Sequence, residues 1–508
     1  MISNPFPRRL LLISLLCFGL PLLRSDITLP AIISDHMVLQ RDRECSLWGL
    51  ADPGEQVTVR IAGEQRTTRA NPEGKWSLLL PRLTEAGPFI LTIEGLNKIT
   101  INDVLAGEVW LGSGQSNMEL RVSQSQNFEA EKLSANFPLL RMFKEESAIA
   151  STEQFKGKGR WVICTPATVG QFSATLYFFG REIHRTLGHP VGLINSSVGG
   201  TPIESWISPA AQEAAVELKP FFAEREIAMR NFDAEAEAKK YQQALATWKE
   251  QSAKAKTPEE IPRKPVDPVE LHYRWNNVGG LFNGKIAPLI PFTIRGAVWY
   301  QGEANAGDKA WHYRYQLPLL INEWRRRWGD DFPFAWVQLP NIAITGREWP
   351  LIREGMLQTL RLPNTGMTVN IDIGDPKEIH PANKQEIGRR LSLWALAEVY
   401  RHSEIEWSGP LFAGYEKRGR EIVISFTHAA GGLVARDGAL CGFVIATADR
   451  LWLPAIARLE GDKVVVSHPD IADPIAVRYA WENNPPCSLF NTAGLPASPF
   501  RTDDWPIR

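Results

Sequence analysis

Four short stretches of this chain end an apolar run in glycine and then present side chains able to do chemistry. The first is Gly112-Ser113-Gly114-Gln115-Ser116-Asn117, directly after Val109, Trp110 and Leu111. The second is Ser197-Val198-Gly199-Gly200-Thr201, and the third Gln301-Gly302-Glu303-Ala304-Asn305. The fourth is Asp372-Ile373-Gly374-Asp375, with Glu378, Ile379, His380 and Pro381 shortly after. A serine, a glycine turn, amide side chains, acids and a histidine are the parts of an acyl-transfer site: nucleophile, oxyanion donors, base and orienter. Each also has a plainer reading. Gly-Ser-Gly serves as a tight connection, with Ser116 or Asn117 capping the next helix. Gly199-Gly200 serves as a turn, Asn305 as a cap and His380 as part of a structured loop. What separates the two readings is whether one framework brings all four stretches to one edge.

The elements that would do so are legible. "EVWLGSG", "PVGLINSSVGG", "IRGAVWYQGEAN", "FPFAWVQLP" and "GMTVNIDIGD" read as short buried strands. Between them lie helical patterns such as "FSATLYFFGREIHRTLG" and "YRYQLPLLINEWRRRWG". Such alternation implies a mostly parallel sheet covered by helices, whose ligands bind outside the carboxyl ends of the strands. Before this region, residues 26–103 alternate apolar and polar residues between Pro-Gly and Asn-Pro-Glu-Gly turns, the pattern of a small sandwich. After it, residues 406–508 return to β-like text. Within the α/β region, taken as 104–405, residues 210–269 read as a helical insertion, a strong helix former followed by a Pro-rich charged connector.

Composition narrows the partners. Lys plus Arg (56) nearly cancel Asp plus Glu (57) over 508 residues, so no basic surface argues for nucleic acid or an anionic membrane. Eighteen tryptophans exceed the usual share; most belong in a core, and the surplus suits stacking on sugar rings. Residues 1–25 read as an export signal: Arg8 and Arg9 precede an apolar run over 10–23 that is short for a membrane span. Export implies a secreted or periplasmic protein, with an uncleaved anchor as the alternative and no stable membrane insertion. Past the signal, Cys45, Cys164, Cys441 and Cys487 permit disulfides or remain as small buried thiols. No Cys-x-x-Cys or His-Glu-x-x-His occurs, and neither a metal nor an organic cofactor is expected.

The motifs "SDHMVLQRD", "GEVWLGSGQSNME", "LINSSVGGTPIESW", "GAVWYQGEANA" and "DIGDPKEIHPANKQEIGRRLSLWA" resemble the sialate O-acetylesterase-type carbohydrate esterases of the SGNH (GDSL-like) hydrolase superfamily. The resemblance spans essentially the whole chain past the signal. It implies a three-layer α/β/α SGNH-hydrolase domain with a mostly parallel sheet, flanked by N- and C-terminal β-rich, sandwich-like domains. It implies a serine esterase that removes O-acetyl groups from sugars, O-acetylated sialic acid first. Acetylated xylan or another polysaccharide is the alternative substrate, and a non-catalytic carbohydrate-binding protein on a hydrolase scaffold the alternative class. By this resemblance Ser116 is the nucleophile and first oxyanion donor, the turn at Gly199 gives the second donor, and His380 is the base. The third donor comes from the loop holding Gln301 and Asn305; Ala304 stands where the family pattern puts Asn, which leaves both open.

The acid that orients His380 is also open, because Lys377 stands where Asp-x-x-His would place it. Asp372 falls within the strand read as "TVNIDI" and suits a structural hydrogen bond. Glu378 has the reach if the segment is extended. Asp375, at a strand end stiffened by Gly374 and Pro376, is favoured over Glu378, with a backbone carbonyl as a further option.

Overall fold

A computed structural model describes residues 26–506 except 256, 258–259, 263, 270–271, 273–277 and 430. The proposed signal, 1–25, lies outside the described residues. Among these, no helix is long and apolar enough to cross a membrane.

The chain is a mixed α/β protein built around one large sheet. Its central strands are β1 (Lys98–Gly114), β2 (Phe137–Lys144), β3 (Trp161–Cys164), β4 (Val191–Ser197), β5 (Gly296–Tyr300), β6 (Phe334–Val337) and β7 (Thr365–Thr368), in the order β7-β6-β5-β1-β4-β2-β3. All neighbours in this path run parallel except β3, which closes the edge antiparallel to β2. Every residue of β4 and β5 is buried. That is why these strands read as continuous apolar runs rather than alternating ones.

β1 does two jobs. Its first half pairs with Phe89–Glu94, which continues to Gln56–Ile61 and Glu64–Arg69 in the N-terminal region. Its second half lies between β4 and β5, and Val38–Gln40 pairs parallel to it over 105–107. The pairing to Phe89–Glu94 is irregular around Asp103, where φ is 54°, and gives way after Val104 to the pairing with Val38–Gln40. Arg141 of β2 holds the bend, donating to the Asp103 carbonyl at 2.5 Å and to its carboxylate at 2.9 Å, while His36 Nδ1 meets the other carboxylate oxygen at 2.7 Å. Burial raises the Asp103 pKa and the His36 and Arg141 contacts outweigh it, leaving the carboxyl below its usual range.

The helices that pack on this sheet are α2 (Ala174–Leu187), α4 (Tyr313–Trp328), α5 (Trp349–Thr359) and α6 (Lys384–Trp394); α1 (Ser116–Glu119) is a single turn after β1, and α3 (Ala234–Lys254) is a long outer helix with no buried residue. α2 packs with α6, and α4 with α5. Ser173 caps α2 by accepting the Leu176 N–H at 3.3 Å. Aromatic rings knit the layers together: Trp110 of β1 meets Phe179 of α2 and Trp394 of α6 edge-on, and Trp299 of β5 meets Trp206 and Trp324.

The C-terminal region holds two four-stranded antiparallel sheets, Leu411–Arg418/Glu421–Thr427/Lys463–Ser467/Ile456–Glu460 and Trp452–Pro454/Phe443–Ala446/Ala476–Tyr479/Phe500–Arg501. The four cysteines outside the proposed signal are all thiols, with Cys45 and Cys164 buried and Cys441 exposed. Burial pushes the Cys45 and Cys164 thiols up to about 12, so they pack as small apolar groups.

Candidate active site

Register brings the strand ends together. Ser197 of β4 and Tyr300 of β5 both stand opposite Gly114 of β1, so the three stretches leave the sheet side by side. Gly114 has φ 136°, and a Cβ there would lie 2.1 Å from the Tyr300 carbonyl oxygen. Only glycine lets β1 turn this close to its neighbour. The turn is then fixed by Gln115 N–H donating to that carbonyl at 3.0 Å. Ser116 is the first residue of α1 rather than its cap; Gln115 holds the cap position without a side-chain bond.

Ser116 Oγ lies 2.9 Å from His380 Nε2. Glu378 Oε1 accepts from both the His380 backbone N–H (2.9 Å) and Nδ1 (3.0 Å). A carboxylate acceptor at Nδ1 places the imidazole proton there and leaves Nε2 to accept from the serine hydroxyl. The pair opens on a cleft of about 940 Å³ that Glu119, Arg121, Gln124 and Ala382 also line. Among the described residues no tryptophan lines it, and Trp110, Trp206, Trp299, Trp324, Trp336 and Trp394 are all fully buried.

Three sequence expectations change here. Asp375 does not meet the imidazole; its carboxylate accepts the Lys377 N–H at 2.8 Å, and its carbonyl accepts the Glu378 N–H at 3.3 Å. Its short side chain is satisfied within its own turn, whereas Glu378, one methylene longer, folds back onto His380. Asp372 lies beyond the strand, which ends at Thr368, and its two oxygens take Arg390 at 2.7 and 2.9 Å. Gln301 is removed as a free donor, because Nε2 donates to Asn305 Oδ1 at 2.7 Å and to the Thr201 carbonyl at 3.2 Å. Asn305 donates one amide hydrogen to Glu204 at 2.9 Å and accepts the Ile203 N–H at 2.9 Å. These two amides brace the turn over 201–204. Burial pushes the Glu204 carboxyl up, the Asn305 hydrogen bond opposing it.

Gly199 stands beside the serine: a Cβ on it would be 3.4 Å from Ser116 Cβ. Its N–H donates to Glu119 Oε2 at 2.8 Å, so this donor is occupied by the chain's own carboxylate. Glu119 was not anticipated from sequence, although it lies one helical turn after Ser116. Nor were Asn117, Glu303 and Lys384 expected to form one buried network under the pair. Asn117 Nδ2 donates to Glu303 Oε1 at 2.6 Å and to the Ile379 carbonyl at 3.0 Å; Lys384 Nζ donates to Asn117 Oδ1 at 2.8 Å and to the Pro381 carbonyl at 2.5 Å. Burial lowers the Lys384 ammonium to about 7, with Glu303 and Glu378 opposing the shift. It raises the Glu303 carboxyl, which the Asn117 bond opposes. A lysine four residues after His380 and an acid two after Gln301 were the available signals.

No protein-family model matches the chain. A sialate O-acetylesterase from Rattus norvegicus is 30% identical over 533 residues, covering 92% of this chain and 93% of the relative. The sialate O-acetylesterase of Homo sapiens is 27% identical over 526 residues, covering 92% and 91%. Among solved structures, a carbohydrate acetylesterase from Xanthomonas citri is 35% identical and superposes with a TM-score of 0.80, covering 94% of this chain and 100% of that one. The chain is an esterase and belongs to the sialate O-acetylesterase family.

Proposed function

We propose that the chain hydrolyses acetyl esters on sugar hydroxyls with Ser116 as nucleophile, His380 as base and Glu378 as the acid that orients it. The observation that carries this reading is the contact of Ser116 Oγ with His380 Nε2 at 2.9 Å, with Glu378 on the far ring nitrogen. Ser116 attacks the acetyl carbonyl while Nε2 takes its proton. The acyl C–O bond to the sugar breaks, the sugar oxygen leaves with that proton, and the acetyl group stays on Ser116 Oγ as an ester. Water, deprotonated by the same nitrogen, then releases acetate. The backbone N–H of Ser116 and that of Gly199 are the oxyanion donors of this reading, each worth about 2.7–4 kcal/mol in comparable hydrolases. The Gly199 donor becomes available once the Glu119 carboxylate moves off it. Asn305 retains one amide hydrogen and stays as the third donor.

O-acetylated sialic acid is the proposed substrate, supported by the names of the rat and human relatives. An acetylated polysaccharide such as xylan is the second reading, supported by the likeness to the Xanthomonas citri carbohydrate acetylesterase. The reading includes the two helix pairs as outer layers of a three-layer domain over 104–405, and export directed by residues 1–25. Two experiments test it. Ser116→Ala in a folded chain must abolish hydrolysis of 4-nitrophenyl acetate. A panel of acetylated sialic acids against acetylated xylan then assigns the sugar.

A further inference from the structure

Peptide carbonyls on both sides of His380 are gripped from inside the protein. Asn117 holds that of Ile379, and Lys384 that of Pro381. The segment carrying His380 has no helix or strand between Thr368 and Lys384; other bonds anchor it further off, at Gly374, Pro376 and Ala382, and these two grip the peptides flanking His380 itself. Asn117 is also the residue after Ser116, so anything bound to its side chain is registered directly to the nucleophile. We propose that Asn117, Lys384 and Glu303 are positioning residues: a buried clamp that sets His380 at bonding distance from Ser116 Oγ. The proposal rests on the reading of those two residues as nucleophile and base.

A purely structural role would look different. A buried lysine and glutamate kept for stability would meet directly and satisfy all their polar atoms. Here Asn117 stands between them, Lys384 Nζ is turned to the loop carbonyl, and Glu303 Oε2 has no hydrogen-bond partner though fully buried. Such pairs are costly to desolvate, and apolar replacement of both partners is often neutral or stabilising. The clamp therefore predicts that stability and turnover separate when it is removed.

The test uses the full chain with 4-nitrophenyl acetate, comparing Asn117→Ala and the double variant Lys384→Met/Glu303→Gln, which leaves no uncompensated charge. Near-UV circular dichroism establishes that each is folded. The expected result is a fall in kcat of roughly 10- to 100-fold, as for a displacement of about 1 Å, with KM within threefold of the parent. The rate of Ser116 modification by a fluorophosphonate falls in parallel, because that reaction needs the same serine–histidine pair. Should the double variant not fold, Asn117→Ala alone decides. A kcat within threefold of the parent in a folded Asn117→Ala chain overturns the clamp, as does a rise in KM at unchanged kcat. Ser116→Ala run alongside separates the failures: activity surviving there sinks the esterase site itself, whereas a dead Ser116→Ala with fully active clamp variants sinks only the clamp.

Discussion

On its solvent side His380 leans on Glu378, whose side chain is 56% exposed and belongs to the same loop. On its inner side the loop is held by Asn117, Glu303 and Lys384, which are 1%, 5% and 0% exposed and come from three separate elements. The outer contact is between groups that water and salt can screen, and it can re-form after every excursion of the loop. The inner contacts are in low dielectric, where each unmade bond is expensive, so they cannot give without local rearrangement. In the proposed mechanism the difference teaches that Ser116 and His380 are left open to substrate while the loop behind His380 is held from inside.

The largest effect bounds the comparison. Ser116→Ala lowers 4-nitrophenyl acetate hydrolysis by at least about 10⁴-fold while leaving the thermal midpoint within a few degrees, checked by initial rates and a melting curve. Glu378→Gln comes next. Loss of an orienting acid reaches ~10⁴-fold where that acid is buried, and exposure lets water replace part of its role, so a fall of roughly 10- to 100-fold in kcat is expected. A loss as large as that of Ser116→Ala would show that the outer side is as rigid as the inner one.

The inner side answers to pH through stability. Folding lowers the Lys384 pKa from 10.5 to about 7, so between those values the unfolded chain binds the extra proton and stability rises with pH. Below about pH 7 both states are protonated and this contribution is constant. Glu303 and Glu378, and the Tyr300 ring 5.7 Å away, are the groups that face the ammonium. Urea unfolding at pH 7 and 9.5 should show the parent gaining on the order of 2 kcal/mol relative to Lys384→Met; no differential gain would break the contrast between the two sides. Glu119→Ala, which frees the Gly199 N–H, raises kcat/KM a few-fold by steady-state kinetics. Asp375→Asn has the smallest effect, within twofold in kcat, and a larger loss than that of Glu378→Gln would restore Asp375 as the orienting acid.

What the sequence could convey follows the range of the interactions involved. Fully buried parallel strands announce themselves as apolar runs, and the glycine at 114 announces a turn that no side chain could make. Ser116 and His380 were singled out by the family resemblance, since spacing alone left Ser116 open to a capping role; the contact between them joins residues 264 positions apart. That Glu378 rather than Asp375 meets His380 could not be read from spacing, because it depends on how the loop folds back on itself over three residues. Gln301 could not be excluded from its own stretch: the groups that engage it include Thr201, 100 positions away. The clamp is the extreme case, with bonds spanning 186 and 267 positions. Asp372 was misplaced in a strand because Asn370 turns back onto Thr368, ending the pairing earlier than the apolar pattern indicates.

The 17 residues of β1 run from the N-terminal sheet to the residue two before Ser116. At about 3.3 Å per residue that is a beam of roughly 55 Å, bent once and bolted at the bend by Arg141. A covalent beam shared by two regions leaves no linker to cut between them. A force applied to the N-terminal sheet would pass along one continuous strand to the backbone two residues before Ser116. Removal of residues before 103 would strip Val38–Gln40 from its place beside 105–107 and bare a strand edge on the strand that leads to Ser116, ready to pair with another molecule. The N-terminal region is thus joined, through one continuous strand, to the turn that carries Ser116.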